Sequence, residues 1–356
     1  MSDVTLDIAF PAERHVDQWQ LRHAQGAVPG FWPYGLDGLG RYVDSLRAQA
    51  VAEPDALARA RSHFQRRGRH PEYNPWAEAE GHPPHRSIAL SWDENAARRM
   101  LASCPRTEMY CGVIWATDAA ARGADVSAVR RVLRLMSGVW VISSGQQAAL
   151  TDLVGENGPP IGFFRFGVDE TFFTFQQPAK APLVLSVGGD RDRDTQTLFE
   201  ALRRVHELSP ETEIVVQTTS TLPPPPGVRT IARLSHVELA GLYARASVVA
   251  IATQQNLHAS GMTVSLEAMA SGRPVVISDT PGIRDYVQGS PMGRGPQTGL
   301  LVPVGDAGAM AAQVVRLLEN PGLAVALGRG GRQVVETELN TTHMVRELAA
   351  FIGLQG

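Results

Sequence analysis

The sequence contains almost no lysine, and this absence limits how the protein could bind phosphate. Of its 33 basic residues, 32 are arginine and one is lysine, Lys180, which lies between two prolines in a probable linker. A Walker A loop and the strand lysine of protein kinases are therefore excluded. A Schiff-base role is disfavoured because Lys180 would stay solvated. Any cation that binds phosphate must be an arginine, a histidine or a helix N-terminus.

Cysteines, long apolar runs and several enzyme motifs are also scarce or missing. Cys104 and Cys111 form no C-x-x-C pair, so we expect reduced thiols and no zinc site. No apolar run is long enough to span a bilayer and no signal peptide is evident, so we expect a cytoplasmic protein. The absence of G-x-G-x-x-G, H-E-x-x-H and G-x-S-x-G weighs against dehydrogenases, metalloproteases and α/β-hydrolases. The net charge of −3 provides no basic field for nucleic acid.

The length and the order of secondary structure predict two α/β domains. A chain of 356 residues exceeds the roughly 250–300 residues at which single cores stop growing. Strands alternate with helices on both sides of a proline-flanked linker at Gln176–Pro182, which predicts parallel sheets covered by helices. We expect two tandem doubly wound, Rossmann-like domains facing across a cleft: residues 1–177 with a C-terminal helix in 341–356, and residues 178–340. The predicted strands of the first domain are Leu6–Phe10, Ser87–Ser91, Gly112–Ala116, Val139–Ile142 and Ile161–Phe164.

Two further segments of the first domain are interpreted from their local pattern. Gly40–Ala50 is expected to be a helix, and the strand Gly112–Ala116 is expected to end at Thr117 and Asp118. Residues 59–70 carry five arginines and two histidines. This segment is either a solvated helix face or, between Arg59 and Arg69, a patch that contacts an anionic membrane surface or an acidic acceptor.

The segment His258–Val276 has the pattern of a ligand-binding helix N-terminus followed by a buried strand. Gly261 would let the backbone approach a ligand closely, and the free N–H groups of Met262, Thr263 and Val264 would favour phosphate by hydrogen bonds and by the helix dipole. Glu267 lies about one turn inside this helix and has no basic residue nearby in the sequence. Because an apolar helix leaves a carboxylate without partners, Glu267 would bind either a ribose diol or backbone amides.

A second candidate segment, Ser186–Asp194, follows a predicted strand and precedes a helix. Ligand contacts in α/β proteins concentrate at such positions. Gly188 and Gly189 open the segment, and Arg193 or Arg191 could neutralise a diphosphate and stabilise it as a leaving group. The interleaved arginines oppose a metal at the Asp-x-Asp pairs. A charged helix cap with internally paired ions is the alternative interpretation.

Several motifs occur along the chain in a characteristic order. Val139-Trp-Val-Ile-Ser-Ser and Phe166-Gly-Val-Asp-Glu-Thr-Phe-Phe precede the linker, and Ser186-Val-Gly-Gly follows it. The most distinctive is Glu267-Ala-Met-Ala-Ser-Gly-Arg-Pro-Val-Val, and Asp279-Thr-Pro-Gly-Ile-Arg-Asp-Tyr-Val comes after it. Together they resemble the group 1 (family four) retaining glycosyltransferases of GT-B fold. The resemblance covers residues 139–337 well and residues 1–138 only loosely.

This resemblance implies a donor site in the second domain and an acceptor site in the first. The implied reaction moves a sugar from a nucleotide-diphosphate sugar, with a UDP-sugar favoured, to a hydroxyl acceptor with retention, without metal or cofactor. Glu267 would hold the ribose hydroxyls, Arg193 the diphosphate, and Asp118 would complete the catalytic set. The implied donor contacts are Gly188, Gly189, Arg191, Arg193, Arg233, Leu234, His258, Ser260, Gly261, Met262, Thr263 and Glu267.

The chain departs from the family pattern at two positions. The family usually has a second glutamate where this chain has Ala259, which leaves His258 and Ser260 as candidates to contact the sugar. It often has His-Asp where this chain has Thr117-Asp118. These departures suggest one alternative, a nucleotide-sugar-binding protein without transferase activity. A second alternative is a nucleotide-sugar 2-epimerase, another enzyme class of similar architecture.

The acceptor side has no comparable signature. Trp32, Tyr34 and Trp92 of the first domain offer faces on which a sugar or another ring could stack. Packing in the hydrophobic core would explain the same residues. The sequence is compatible with a lipid-linked, small-molecule or glycan acceptor.

Overall fold

The computed structural model describes residues 4–10, 14, 16–50, 85–103, 108–177, 179, 181–288 and 295–354. Two six-stranded parallel sheets flanked by helices form the two halves of the protein, which confirms the predicted α/β architecture. The basic segment Arg59–Arg69 and Cys104 lie outside the described residues, and Cys111 is a buried free thiol. No helix in the described ranges is both long and apolar enough to cross a bilayer.

The first sheet and its helices are built from residues 4–163. Its strands are β1 (Val4–Phe10), β2 (Ser45–Ala50), β3 (Arg86–Ser91), β4 (Glu108–Gly112), β5 (Gly138–Val141) and β6 (Ile161–Phe163). Its helices are α1 (Val16–Ala24), α2 (Glu94–Ser103), α3 (Ala116–Ala121), α4 (Ser127–Leu133) and α5 (Gln147–Val154). The strand order is β2-β1-β3-β4-β5-β6, so the wholly buried β1 lies inside the sheet.

The second sheet has the same construction after the linker. Its strands are β7 (Leu183–Val187), β8 (Glu213–Gln217), β9 (Val228–Ile231), β10 (Val248–Ile251), β11 (Val275–Ser278) and β12 (Gly299–Val302). Its helices are α6 (Thr195–Leu208), α7 (His236–Arg245), α8 (Met262–Ala270), α9 (Ala307–Glu319) and α10 (Pro321–Thr337). In the order β12-β11-β10-β7-β8-β9, strands β7 and β10 are central, and the loops after them meet at one edge of the sheet.

Local sequence signals explain several helix boundaries in this half. At the start of α7, Ser235 and Glu238 form a complete capping box. Asp194 caps α6 by accepting a 2.9 Å hydrogen bond from the Thr197 N–H. Gly272, just past the end of α8, has φ +73°, the left-handed conformation in which a glycine commonly ends a helix.

Two predictions for the first domain are wrong. Gly40–Ala50 is not a helix: a 3-10 segment over Pro33–Arg41 is followed by β2, which pairs in parallel with β1. Partnership with a distant strand overrides the helical propensity of the Leu46–Ala50 stretch. The predicted strand Gly112–Ala116 also ends early, because Glu94 accepts hydrogen bonds from three successive N–H groups and turns the chain into α3.

The last helix, α11 (Thr341–Phe351), returns to the first sheet. The Arg86 guanidinium donates to the carbonyl oxygens of Ile352 and Gly353 at 2.8 and 2.9 Å. At the crossing point, Val168 and Asn340 form an isolated β-bridge. The C-terminal helix therefore ties the chain end to the first domain beside the cleft.

We expect Gly167→Ala to destabilise this crossing. An added Cβ would overlap the backbone carbonyl of Asn340, which cannot move without displacing α11. Overpacking of this kind costs about 1–3 kcal/mol, so thermal denaturation should show a lower Tm. Gly241→Ala, at an exposed position of α7 with open space around the new methyl group, should keep or raise the Tm. An unchanged Tm for the Gly167 variant would contradict the tight crossing.

Candidate active site

A cavity of about 480 Å³ lies between the two sheets, where the loops from their carboxyl ends meet. In doubly wound folds this edge is the usual place for ligands. The first domain contributes mainly aromatic groups and one cation, and the second contributes a helix N-terminus and several polar groups. The principal lining residues are Arg14, Trp19, Tyr34, Trp92, Trp115 and Phe166 from the first, and Asp190, Arg193, His236, His258, Ser260, Gly261, Met262, Thr263 and Glu267 from the second.

The N-terminus of α8 opens onto this cavity. Gly261 caps the helix with φ +88°, and a Cβ there would lie only 2.8 Å from the Ile251 side chain. Contrary to the prediction that its N–H is free, Met262 donates to the Ala259 carbonyl at 3.0 Å. In the described part of the chain, the N–H groups of Thr263 and Val264 have no partner. Two donors at a helix N-terminus are thus available to an anion.

The loop after β7 brings Arg193 to the same point. Its Nε donates to Asp190 at 3.0 Å, and the side chain is only 12% exposed. At Gly188, with φ +124°, a side chain would overlap the Arg193 guanidinium. A Cβ on Gly261 would lie 3.2 Å from Arg193 Nη1, so the guanidinium lies directly beside the start of α8. Two glycines therefore make room for one cation at the helix N-terminus.

Glu267 lies in the second turn of α8 and has a partner that sequence reasoning missed. Tyr243 of α7 donates its hydroxyl to Glu267 Oε2 at 2.9 Å, and both side chains are buried. Burial raises the pKa of Glu267 to about 7, although the Tyr243 hydrogen bond and the charges of Arg14 and Arg193 oppose this rise. The carboxyl group lines the cavity and still has one oxygen available for a ligand.

Asp118 and His258 join the two domains at the cavity wall. Asp118 lies in the first turn of α3, and its carboxylate accepts from the N–H groups of Leu257 and His258 at 2.9 and 3.2 Å. It also contacts His258 Nδ1 at 2.8 Å. Burial penalises the charged carboxylate, but the hydrogen bonds from His258 and Leu257 outweigh it and hold the pKa of Asp118 below its usual value.

The other nitrogen of the His258 ring is near a second carboxylate. His258 Nε2 lies 3.6 Å from Asp192 of the second domain. Arg122 of the first domain pairs with Asp192 at 2.6 Å and donates to the Gln255 carbonyl at 3.1 Å. The imidazole therefore lies between one buried carboxylate of each domain, and its buried Nε2 has no hydrogen-bond partner among the described residues. Thr117, beside Asp118, instead accepts a hydrogen bond from the Gln146 side chain.

Several candidate residues lie away from the cavity. Arg191 stacks over Trp115 at 4.7 Å and pairs with Asp192, and Gly189 lies against Thr219. Arg233 and Leu234 do not line the cavity, where His236 is found instead. The Asp190–Arg193 and Arg191–Asp192 pairs show that the charged segment is also internally paired, as the alternative interpretation expected.

The three aromatic candidates divide between core and cavity. Trp32 is buried and packs edge-on against Phe10 with ring centroids 6.1 Å apart, so it is a core residue rather than a cavity residue. Tyr34 and Trp92 line the cavity and are stacked at 4.3 Å. Tyr34 has φ +63°, which is rare for a residue with a side chain and is found mainly at functional sites.

Sequence reasoning missed Arg14, Trp19 and His236 in the cavity lining. Burial, followed by the charges of Arg14, Arg22 and Arg233, lowers the pKa of His236 to about 4. The position of Arg14 just after β1, where α/β proteins place ligand contacts, was the available signal. No group of three or more potential metal ligands occurs among the described residues, and metal-independent chemistry stays a prediction.

We expect Glu267→Gln to change how stability depends on pH. The pKa of Glu267 rises from 4.5 to about 7 on folding. The contribution of Glu267 to the free energy of unfolding is therefore fully present below the unfolded pKa and is lost as the pH rises through 7. Relative to wild type, the variant should therefore gain up to roughly 3 kcal/mol between about pH 5 and pH 8. Urea denaturation of the ligand-free protein measures this gain. The exposed Glu319→Gln variant controls for the charge change, and parallel pH profiles for wild type and Glu267→Gln would refute the raised pKa.

We expect Asp118→Asn to loosen the contact between the domains. Because Leu257 and His258 donate to different carboxylate oxygens, an asparagine would present its N–H₂ group to one of these N–H donors, which costs about 1–3 kcal/mol for a buried group left unpaired. Thermal denaturation should show a lower Tm, and hydrogen exchange at these two amides should accelerate. The exposed Asp17→Asn variant on α1 has the same charge change and should alter neither. Unchanged protection of the two amides would count against a stabilising contact between Asp118 and the segment Leu257–His258.

Comparison with known proteins agrees with this architecture. Residues 181–320 match the model of the family described as glycosyl transferases group 1. An amylovoran biosynthesis glycosyltransferase of Erwinia amylovora is 38% identical over 93 residues, which cover 26% of this chain and 21% of that protein. The chain spans between 21% and 56% of the length of the curated relatives it matches.

Solved structures match over nearly the whole chain. Sucrose-phosphate synthase from Thermosynechococcus elongatus has a TM-score of 0.63 at 18% identity, covering 97% of this chain and 98% of that one. HepE from Anabaena, in complex with UDP and glucose, has a TM-score of 0.65 at 13% identity, covering 98% and 99%. The second domain is thus similar to the group 1 glycosyltransferases over residues 181–320, and the chain as a whole has the GT-B fold.

Proposed function

We propose that the protein transfers a sugar from a nucleoside-diphosphate sugar, with a UDP-sugar favoured, to a hydroxyl acceptor with retention of configuration. The observation that carries this proposal is the convergence of three groups in one cavity between the domains. These are the open N-terminus of α8, the Arg193 guanidinium beside it, and the buried carboxyl group of Glu267. A diphosphate linked to a ribose presents the complementary groups in the same order.

The donor would bind mainly to the second domain. Its diphosphate would accept hydrogen bonds from the N–H groups of Thr263 and Val264 and from Arg193. Glu267 would accept hydrogen bonds from the ribose hydroxyls through the oxygen that Tyr243 does not occupy. The UDP complex of HepE, a protein with the same fold, supports a uridine nucleotide as the first donor to test.

The chemistry would depend on positioning and charge stabilisation. The acceptor hydroxyl would attack the anomeric carbon from the face that the diphosphate leaves, through a transition state that resembles an oxocarbenium ion. The acceptor proton would pass to the departing phosphate oxygen. Arg193 and the α8 N-terminus would stabilise the negative charge that develops there. No protein nucleophile is assigned.

His258 would contact the transferred sugar, with Asp118 as its positioning residue. The ring lines the cavity, and three of the contacts of Asp118 go to His258 or its neighbour. Ser260 is less available, because its hydroxyl donates to Asp190 at 2.8 Å. The histidine thus offers an imidazole beside Asp118 in the cavity lining. Tyr34 and Trp92 on the opposite wall would face the acceptor.

A nucleotide panel separates this proposal from the two alternatives. In thermal-shift assays the correct nucleotide should raise the Tm, because it binds only the folded state. Incubation with donor and a set of acceptors should then yield a glycoside, whose anomeric configuration NMR reads directly. A raised Tm with no product would indicate a binding protein, and an isomerised sugar without acceptor would indicate an epimerase.

We expect Arg193→Gln to lower turnover about a hundredfold or more, since it removes charge stabilisation from the leaving group. Nucleotide binding should also weaken. Arg204→Gln is the matched control, because Arg204 pairs with Glu200 on the outer surface of α6. Initial rates at saturating donor measure the effect. Equal turnover of the Arg193 variant and the control would sink the assignment of Arg193.

A further inference from the structure

Four basic residues gather at one end of the cavity, and we call them the mouth cluster: Arg14, Arg22, Arg233 and His236. Arg14 follows β1 and Arg22 lies on α1, so both belong to the first domain. Arg233 precedes α7 and His236 begins it, so both belong to the second. Arg14 and His236 line the cavity, whereas Arg22 and Arg233 are exposed outside it.

Trp19 contacts three of the four members of the mouth cluster. The guanidinium carbons of Arg14 and Arg22 lie 5.4 and 5.2 Å from the centre of its ring. The His236 ring meets Trp19 edge-on at 5.5 Å, which joins the two domains at this point. Arg14 also lies 5.3 Å from the Tyr34 ring. Aromatic faces, rather than carboxylates, therefore position these cations.

The mouth cluster concentrates positive charge, and that of Arg14 also acts on the buried carboxyl group of Glu267. Within the described residues, none of its three arginines forms an ion pair, whereas Arg193 and Arg122 pair with Asp190 and Asp192. Asp169 lines the same cavity, but its carboxylate accepts hydrogen bonds from Gly30, Thr171 and Phe172. The neighbouring guanidinium groups add to burial in lowering the pKa of His236. Concentrated and unpaired cations of this kind are suited to an anionic ligand.

An anion bound at the mouth cluster would occupy a different position from the donor diphosphate. The α8 N-terminus and Arg193 already offer donors to a diphosphate inside the cavity. Arg22 and Arg233 lie outside the cavity lining, so a ligand that contacts them must sit at its mouth. A second substrate that enters from this end would reach the reacting carbon with one part and the mouth cluster with another.

We propose that the mouth cluster binds a phosphate group carried by the acceptor. This inference rests on the proposed glycosyl transfer, because it names the class of acceptor for the same site. Arginine suits such a role, since its planar fork can donate two hydrogen bonds to one phosphate. The phosphate belongs either to a small soluble acceptor or to the headgroup of a lipid-linked acceptor.

Calorimetric titration of inorganic phosphate into UDP-saturated protein tests the proposal. Phosphate should bind to this form, and Arg22→Gln and Arg233→Gln should each weaken binding about tenfold, as expected for a lost charged hydrogen bond. Both positions are exposed, so the variants should fold normally. The Arg14→Gln variant, at a half-buried position, should weaken phosphate binding at least as much. Arg131→Gln, an exposed change on α4 far from the cavity lining, is the matched control.

A second arm identifies the source of the phosphate. Sedimentation with phosphatidylglycerol vesicles, compared with phosphatidylcholine vesicles, tests a lipid headgroup, and the same three variants should abolish any preference. Binding of free phosphate alone supports a soluble acceptor, and vesicle binding that the variants abolish supports a lipid-linked one. UDP binding with no phosphate or vesicle binding, or with variants equal to the control, overturns the mouth cluster proposal. Absence of UDP binding itself would instead count against the proposed function.

Discussion

The contact between Asp118 and the segment Leu257–His258 sets where the loop before α8 meets the first domain. A buried carboxylate is costly unless hydrogen-bond donors surround it, and the donors here come from the other domain. The Asp118 carboxylate can therefore accept these hydrogen bonds only when the two domains are held at a fixed distance. The same segment leads directly into Gly261 and α8. One interdomain charge thus fixes the place where the helix N-terminus meets the cavity.

Within that frame, the site is formed as much by missing side chains as by those present. Gly188 leaves the space that the Arg193 guanidinium fills, and Gly261 lets the helix begin beside it. Ala259 has φ +57°, so strain is concentrated just before the helix. Such conformations persist only when the surrounding contacts are strong. Packing of α8 against α10, α7 and β11, together with the Asp118 contact, supplies those contacts.

Charge is distributed unequally along the cavity. In the interior, Arg193 pairs with Asp190, and Glu267 is bonded to Tyr243, so these groups are held in place before any ligand arrives. At the mouth, Arg14 and Arg22 lie on aromatic faces and form no ion pair with an acidic residue in the described part of the chain. The paired interior suits precise placement of a donor, whereas the unpaired mouth suits capture of an anion from solution. The interior of the cavity is therefore suited to positioning the donor, and the mouth is suited to attracting an anion.

The sequence by itself determined the features that neighbours along the chain control. Alternating strands and helices, the Ser235 capping box, the Gly272 stop and the glycine-led start of α8 are all local, and the structure agrees with them. Tertiary structure alone decided which distant residues meet. Residues 118 and 258 are 140 positions apart, the Tyr243 partner of Glu267 lies on another helix, and Ser45–Ala50 became a strand by pairing with β1. Tertiary structure likewise placed Trp32 in the core and Arg14 in the cavity lining. The burial and charge of a cleft residue depend on both domains, and the sequence around that residue does not contain this information.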